Sequence, residues 1–124
     1  MNMETIMLQP HSHEAEQSVL GAILLQGGAA LDRIEGVIVD ADFYRQDHRL
    51  IFTAARTLSN AGKPIDVITI AEALEGAGSL AGIGGLAYLG GLAQNTPSAA
   101  NIKHYAGIVH ETAPTSPTRS SSTP

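Results

Sequence analysis

The stretch SHEAEQSVLGAILLQGG, residues 12–28, decides the fold class. Ser12 reads as a helix N-cap, followed by His13, Glu14, Ala15 and Glu16 in a first turn whose unpaired backbone N–H groups favour acids. Ala15, Val19, Ala22 and Ile23 fall on one face, Leu20 and Leu24 widen it, and Gly27-Gly28 ends the pattern. A helix apolar around most of its circumference has to be enclosed by others. The stretch therefore predicts an all-α bundle with a central helix that starts at Ser12.

Composition agrees. The 124 residues suffice for one domain, and 44% of them are apolar while only 4% are aromatic and Trp is absent, so the core is built from Ala, Leu, Ile and Val. Cysteine is absent, which excludes disulfides and thiolate metal sites. The opening MNMETIML carries Glu4 and no Lys or Arg, and the apolar run Val19 to Leu25 is far short of a membrane span, so neither a signal peptide nor a transmembrane helix is expected and the cytoplasm is the expected compartment. Seven basic against twelve acidic residues give a formal charge of -5, which repels polyphosphate and predicts little direct nucleic-acid binding.

Downstream of the opening helix, Leu31, Ile34, Val37 and Ile38 predict a short helix over 30–38, and Ile51, Ala54, Ala55 and Leu58 another over about 46–60, with Arg45, Arg49 and Arg56 on its wet side. Pro64 keeps Lys63 extended. Thr69-Ile70-Ala71-Glu72 fits a reciprocal capping box that opens a helix reaching about Glu75. A Gly-rich connection from Gly76 to Gly85 leads to a short helix marked by Leu86, Leu89 and Ala93. Ser98 caps the last helix, where Ile102, Tyr105, Ala106 and Val109 make a stripe. Val19, Ile23, Ile51, Leu58, Leu74, Leu89 and Ile102 are the expected common core. The division predicted is an N-terminal arm over 1–11, a helical domain over 12–111 made of about six short helices, and a Ser/Thr/Pro tail over 112–124 that is disordered for want of apolar residues.

No constellation carries chemistry. His11, His13 and Glu14, or His104 and His110, lack metal-ligand spacing, and capping or exposure accounts for them. Gly62-Lys63 is the only Gly-Lys pair, but Thr57 and Pro64 stand where a phosphate-binding loop needs Gly and Ser or Thr. Asp32, Asp40, Asp42 and Asp47 read as solvated caps, without a catalytic partner. The segment Thr69 to Ala93 raises a helix-turn-helix alternative, yet no Lys or Arg occurs from Glu72 to Gln94 to meet phosphate. Catalytic, cofactor and metal residues are therefore expected to be absent.

The ordered segments PHSHEAEQSVLGAILL, DFYRQDHRLIF, GKPIDVITIAEALE and IGGLAYLGGLAQNTPSAANIKHYAGIVHE resemble the N-terminal domain of the hexameric, DnaB-type bacterial replicative DNA helicase, over about Pro10 to Glu111. The resemblance implies a collar domain acting in DNA replication through self-association and contact with a DnaG-type primase, with a helicase loader as a further candidate partner. In the family the last helix is the first arm of a helical hairpin. A second arm and an ATP- and Mg-dependent motor follow it. This chain lacks that motor, so no ATPase or unwinding is expected of it and no cofactor; it reads as a truncated or frame-shifted product or as a free-standing regulator. Ile102, Lys103, His104, Tyr105, Ala106 and Val109 are the candidate protein-interaction residues, on the expectation that the stripe has lost the arm that covers it. That predicts a monomer or weak dimer where the full-length family forms a hexamer.

Overall fold

The computed structural model describes the backbone of residues 2–96 and 99–113, and side chains from His13 onward within those ranges. All regular structure among the described residues is helical. It comprises α1 (Asn2–Gln26), α2 (Gly28–Arg33), a 3-10 turn (Asp40–Asp42), α3 (Gln46–Asn60), α4 (Val67–Gly76), α5 (Leu80–Ile83), α6 (Gly85–Gln94), a second 3-10 turn (Ala99–Asn101) and α7 (Ile102–Glu111). The expected all-α class holds.

α1 is the axis of the bundle, and α2, α3, α6 and α7 all pack on it. Ala15, Val19, Leu20, Ala22, Ile23 and Leu24 are buried, as a helix apolar nearly all round requires. Its start differs from the sequence reading. α1 is continuous from Asn2, so Ser12 and the region read as an arm lie inside a helix. The residues ahead of Ser12 include Met, Glu, Leu and Gln, which favour helix, and a good cap residue does not oblige a helix to begin there.

Several other boundaries move for local reasons. α2 stops at Arg33 because Gly36 takes φ 82° in the following turn, yet Leu31, Ile34 and Ile38 are still buried. α3 occupies the expected span, and its Ile51 and Ala55 point inward. α4 begins three residues early because Asp66, not Thr69, is the cap. Asp66 Oδ1 accepts from Thr69 N–H at 2.9 Å while Thr69 Oγ1 accepts from Asp66 N–H at 2.8 Å. The reciprocal box exists with Thr69 as its closing member instead of its opening one. The Gly-rich connection contains α5, and Gly84 and Gly85 turn the chain with φ 109° and 71°. A third helix thus stands between the two that the helix-turn-helix alternative requires, which removes its premise.

Of the expected core, Val19, Ile23, Ile51, Leu74, Leu89 and Ile102 are buried and Leu58 packs at the edge. Leu86, read as a marker of the short helix that became α6, is half exposed at its start. Pro97, the Ser98 cap and the tail beyond Ala113 lie outside the described residues. Among the described residues no helix is long and apolar enough to cross a membrane.

Candidate docking groove and the polar relay behind it

Two acids two positions apart on an α-helix point about 200° apart. Accordingly Glu14 of α1 is exposed and Glu16 faces the core, 0% exposed. A buried carboxylate is tolerated only when it is hydrogen-bonded. Glu16 Oε2 accepts from the Tyr44 N–H at 2.5 Å, and Glu16 Oε1 lies 2.6 Å from His48 Nδ1. His48 stands in the first turn of α3 and is likewise 0% exposed; its Nε2 lies 2.6 Å from the Tyr88 hydroxyl of α6. One continuous polar relay therefore ties α1, α3 and α6 together through the apolar core. Among the described residues no buried side-chain N or O atom is left without a partner.

The chemistry of the acceptors orders the protons. A carboxylate oxygen accepts, so the hydrogen between Glu16 and His48 sits on Nδ1; where the imidazole carries that one hydrogen, Nε2 accepts from the Tyr88 hydroxyl. Burial pushes the Tyr88 phenol up, which keeps it a hydroxyl at neutral pH, with the nearby Gln17 side chain acting in the opposite direction. His13 stacks on His48 with centroids 5.7 Å apart. Its pKa is lowered, by burial first and then by the neighbouring His48 and Arg45.

Tyr88 opens onto a groove of about 450 Å³ between α1, α6 and α7, whose polar lining is Glu14, Gln17, Ser18, Asn95, Tyr88 and Tyr105. The small Ala15, Ala87 and Gly91 keep its floor low. Lys and Arg are absent from the lining. A second, shallower cleft of about 780 Å³ lies beside the start of α3 and includes Arg45 and Arg49. Both guanidinium groups are already engaged. Arg45 grips Asp47 through two hydrogen bonds of 2.9 and 2.7 Å, which holds the Asp47 carboxyl below the usual carboxylate range, and Arg49 Nη1 donates to the Phe43 and Tyr44 carbonyls.

The residues singled out in the sequence separate into two groups. Ile102, Ala106 and Val109 are each 0% exposed, buried in the face of α7 that packs along α1. They belong to this chain's own core, which corrects the expectation of an uncovered stripe. Lys103 and His104 are exposed on the other side of α7, and Tyr105, half-buried, borders the groove. Asp42 is a second correction. It is buried, and its Oδ2 accepts from Val39 N–H at 3.0 Å and lies 3.1 Å from His110 Nδ1, joining the chain before α3 to the end of α7. Glu16 had been read only as a first-turn acid, which its burial corrects, and His48 and Tyr88 were not singled out. Gly62 is a left-handed turn residue after α3 and Lys63 is exposed beyond it. Among the described residues no three His, Cys, Asp or Glu side chains cluster as metal ligands; the His11 side chain lies outside them.

Comparison with known proteins places this architecture. Residues 8–111 match the sequence model of the DnaB-like helicase N terminal domain. The chain belongs to that family. It is 48% identical over 73 residues to the replicative DNA helicase DnaB of Haemophilus influenzae, covering 59% of this chain and 15% of that one. It is 43% identical over 67 residues to the replicative DNA helicase DnaC of Bacillus subtilis, covering 54% of this chain and 14% of that one. The N-terminal domain of DnaB helicase from Mycobacterium tuberculosis, known from a crystal structure, superposes with a TM-score of 0.76 at 40% identity, covering 80% of this chain and 70% of that one. The chain thus spans about a sixth of the length of the curated relatives it matches.

Proposed function

We propose that this DnaB N-terminal domain works by protein contact in DNA replication, and that its groove between α1, α6 and α7 is the docking surface. The observation that supports this reading best is the family match over residues 8–111, together with a groove that carries a charged rim, two tyrosines and a buried relay fixing one of them. A DnaG-type primase, through its C-terminal helicase-binding domain, is the partner the family resemblance implies, and a helicase loader is a second. Lys103 and His104, exposed on α7 beside Tyr105, are flanking contacts.

Self-association is weak in this reading, a monomer or a concentration-dependent dimer. The α7 stripe is already covered by α1, and the exposed large apolar side chains Leu25, Val39, Tyr44, Ile68 and Leu86 sit on separate segments. Sedimentation showing a stable hexamer at micromolar concentration would contradict it. Hydrolysis of ATP is not assigned to these residues: Gly62-Lys63 lacks the surrounding sequence of a phosphate-binding loop.

Calorimetry with the primase domain tests the docking surface. A single site without the multivalency of a ring gives modest affinity. Glu14→Lys and Tyr88→Ala each weaken it by about tenfold or more if the groove is the contact. Binding untouched by either substitution places the contact elsewhere, and no heat at hundreds of micromolar removes primase docking from this chain.

A further inference from the structure

Tyr88 belongs both to the groove and to the buried relay. We propose that Glu16 and His48 position its hydroxyl so that the groove offers hydrogen-bond acceptors and takes up a Lys or Arg side chain of the partner, a specificity that rests on the docking reading above.

The carboxylate of Glu16 is held from both sides, by the Tyr44 N–H and by His48, so both of its oxygens are acceptors. With His48 in the tautomer that carries its one hydrogen on Nδ1, the Tyr88 hydrogen points inward, onto His48 Nε2 at 2.6 Å. The phenol then has no hydrogen to offer the groove, only oxygen lone pairs. The rest of the lining suits the same guest. Glu14 supplies the negative charge, Ser18 and Asn95 supply oxygens that can accept, and the faces of Tyr88 and Tyr105 can lie against a cation. A carboxylate in this space would meet Glu14 with no Lys or Arg in the lining to balance it. An apolar side chain would strip water from Glu14 and the Tyr88 oxygen without replacing the hydrogen bonds. The overall charge of -5 favours a cationic partner at longer range as well.

The test uses NMR titration of the whole chain with two probes, Nα-acetyl-lysine methylamide and Nα-acetyl-norleucine methylamide, which share a stem and differ in the ammonium group. The lysine probe should shift the Glu14, Gln17, Tyr88 and Asn95 resonances saturably and bind about fivefold more tightly than the norleucine probe, the size of one partly exposed charge-assisted hydrogen bond. Glu16→Gln keeps the shape but changes the proton order. Its carbonyl oxygen still takes the Tyr44 N–H, its NH2 faces His48 Nδ1, the imidazole proton moves to Nε2, and the Tyr88 hydrogen turns into the groove. Long-range 1H–15N spectra of the histidines should report that change of tautomer, and the lysine preference should fall to within about twofold of the norleucine probe. Tyr88→Phe should produce the same loss while His48 keeps its tautomer, and it decides alone if Glu16→Gln leaves the imidazole unchanged.

A lysine preference that is absent in the unaltered chain, or that survives both the tautomer change and Tyr88→Phe, overturns the proposal. The two readings fail separately. Primase-domain binding at the groove without any lysine preference sinks the relay and keeps the docking surface; an intact, relay-dependent preference with no primase binding does the reverse.

Discussion

Gly21→Ala is the substitution whose effect the packing of α1 against α6 fixes most tightly. A Cβ at Gly21 would stand 1.7 Å from Thr96 Oγ1 and 2.5 Å from the backbone oxygen of Leu92. The threonine can turn away, but only by giving up its 2.8 Å hydrogen bond to that same Leu92 oxygen, and the carbonyl can move only if α6 moves. Overpacking of this kind costs about 1–3 kcal/mol, and the lost hydrogen bond about 1 kcal/mol more. Against this, replacing Gly by Ala in a helix interior returns about 0.5–1 kcal/mol. The packing penalty wins, with a net loss of about 2 kcal/mol. Urea denaturation should show it as a midpoint lower by about 1 M. Gly90→Ala in α6 is the internal control, because a Cβ there meets nothing within 4 Å. It should raise stability by about 0.5–1 kcal/mol through propensity alone. Gly21→Ala with a midpoint at or above that of the unaltered chain would refute the close approach of α1 and α6 and with it the description of the groove they border.

His48→Ala should cost about 2–3 kcal/mol, since it leaves the buried Glu16 carboxylate without its hydrogen-bond donor, and a loss under about 1 kcal/mol in thermal or urea unfolding would mean the relay is not enclosed. Asp66→Ala removes the acceptor for the Thr69 N–H and should cost about 1 kcal/mol, whereas Glu72→Ala, the other possible cap partner, should lie within about 0.5 kcal/mol of the unaltered chain. Because the folded state holds the His13 pKa below its ordinary value of about 6.5, the unfolded chain binds the proton more readily, so this contribution to stability is complete above that pH and is lost as the pH falls toward the folded value. His13→Gln should therefore flatten the decline in stability between about pH 7.5 and 5.5, and an unchanged slope would assign the decline to other groups.

The fold was legible because its signals are one-dimensional. The all-round apolar segment Val19 to Leu24 could only be central, and the spacing of Ile51, Ala54 and Ala55 ahead of Asn60-Ala61-Gly62 placed α3 over about the span it occupies. Boundaries that depend on a choice between equivalent local partners were less legible. Asp66 and Thr69 are both good caps, and the extended backbone at Asp66, φ -157°, settled which one opens α4. Ser12 likewise offered a cap that the helix did not use. The α7 stripe shows a deeper limit. Ile102, Ala106 and Val109 at helical spacing establish that α7 has a buried face, but the same spacing serves a face buried by α1 of the same chain and one buried by another chain.

The relay had a signal that could have found it. Glu16 is three residues before Val19, four before Leu20 and seven before Ile23, which puts an acid in phase with the most apolar stripe of α1. His48 stands in the same relation to Ile51, Phe52 and Ala55 on α3. An isolated polar residue within an apolar stripe often marks a helix end, which is how the acids near Ser12 were read. Two such residues on two helices that share a core are another matter, because neither can be buried alone without losing several hydrogen bonds to water, and each supplies what the other lacks. An acid that only accepts requires a donor within the core, and His48 is the buried side chain able both to donate to it and to pass the acceptor role outward to Tyr88. The pairing thus follows from phase and hydrogen-bond capacity together, whereas composition and spacing alone left Glu16 as one more acid in a first turn.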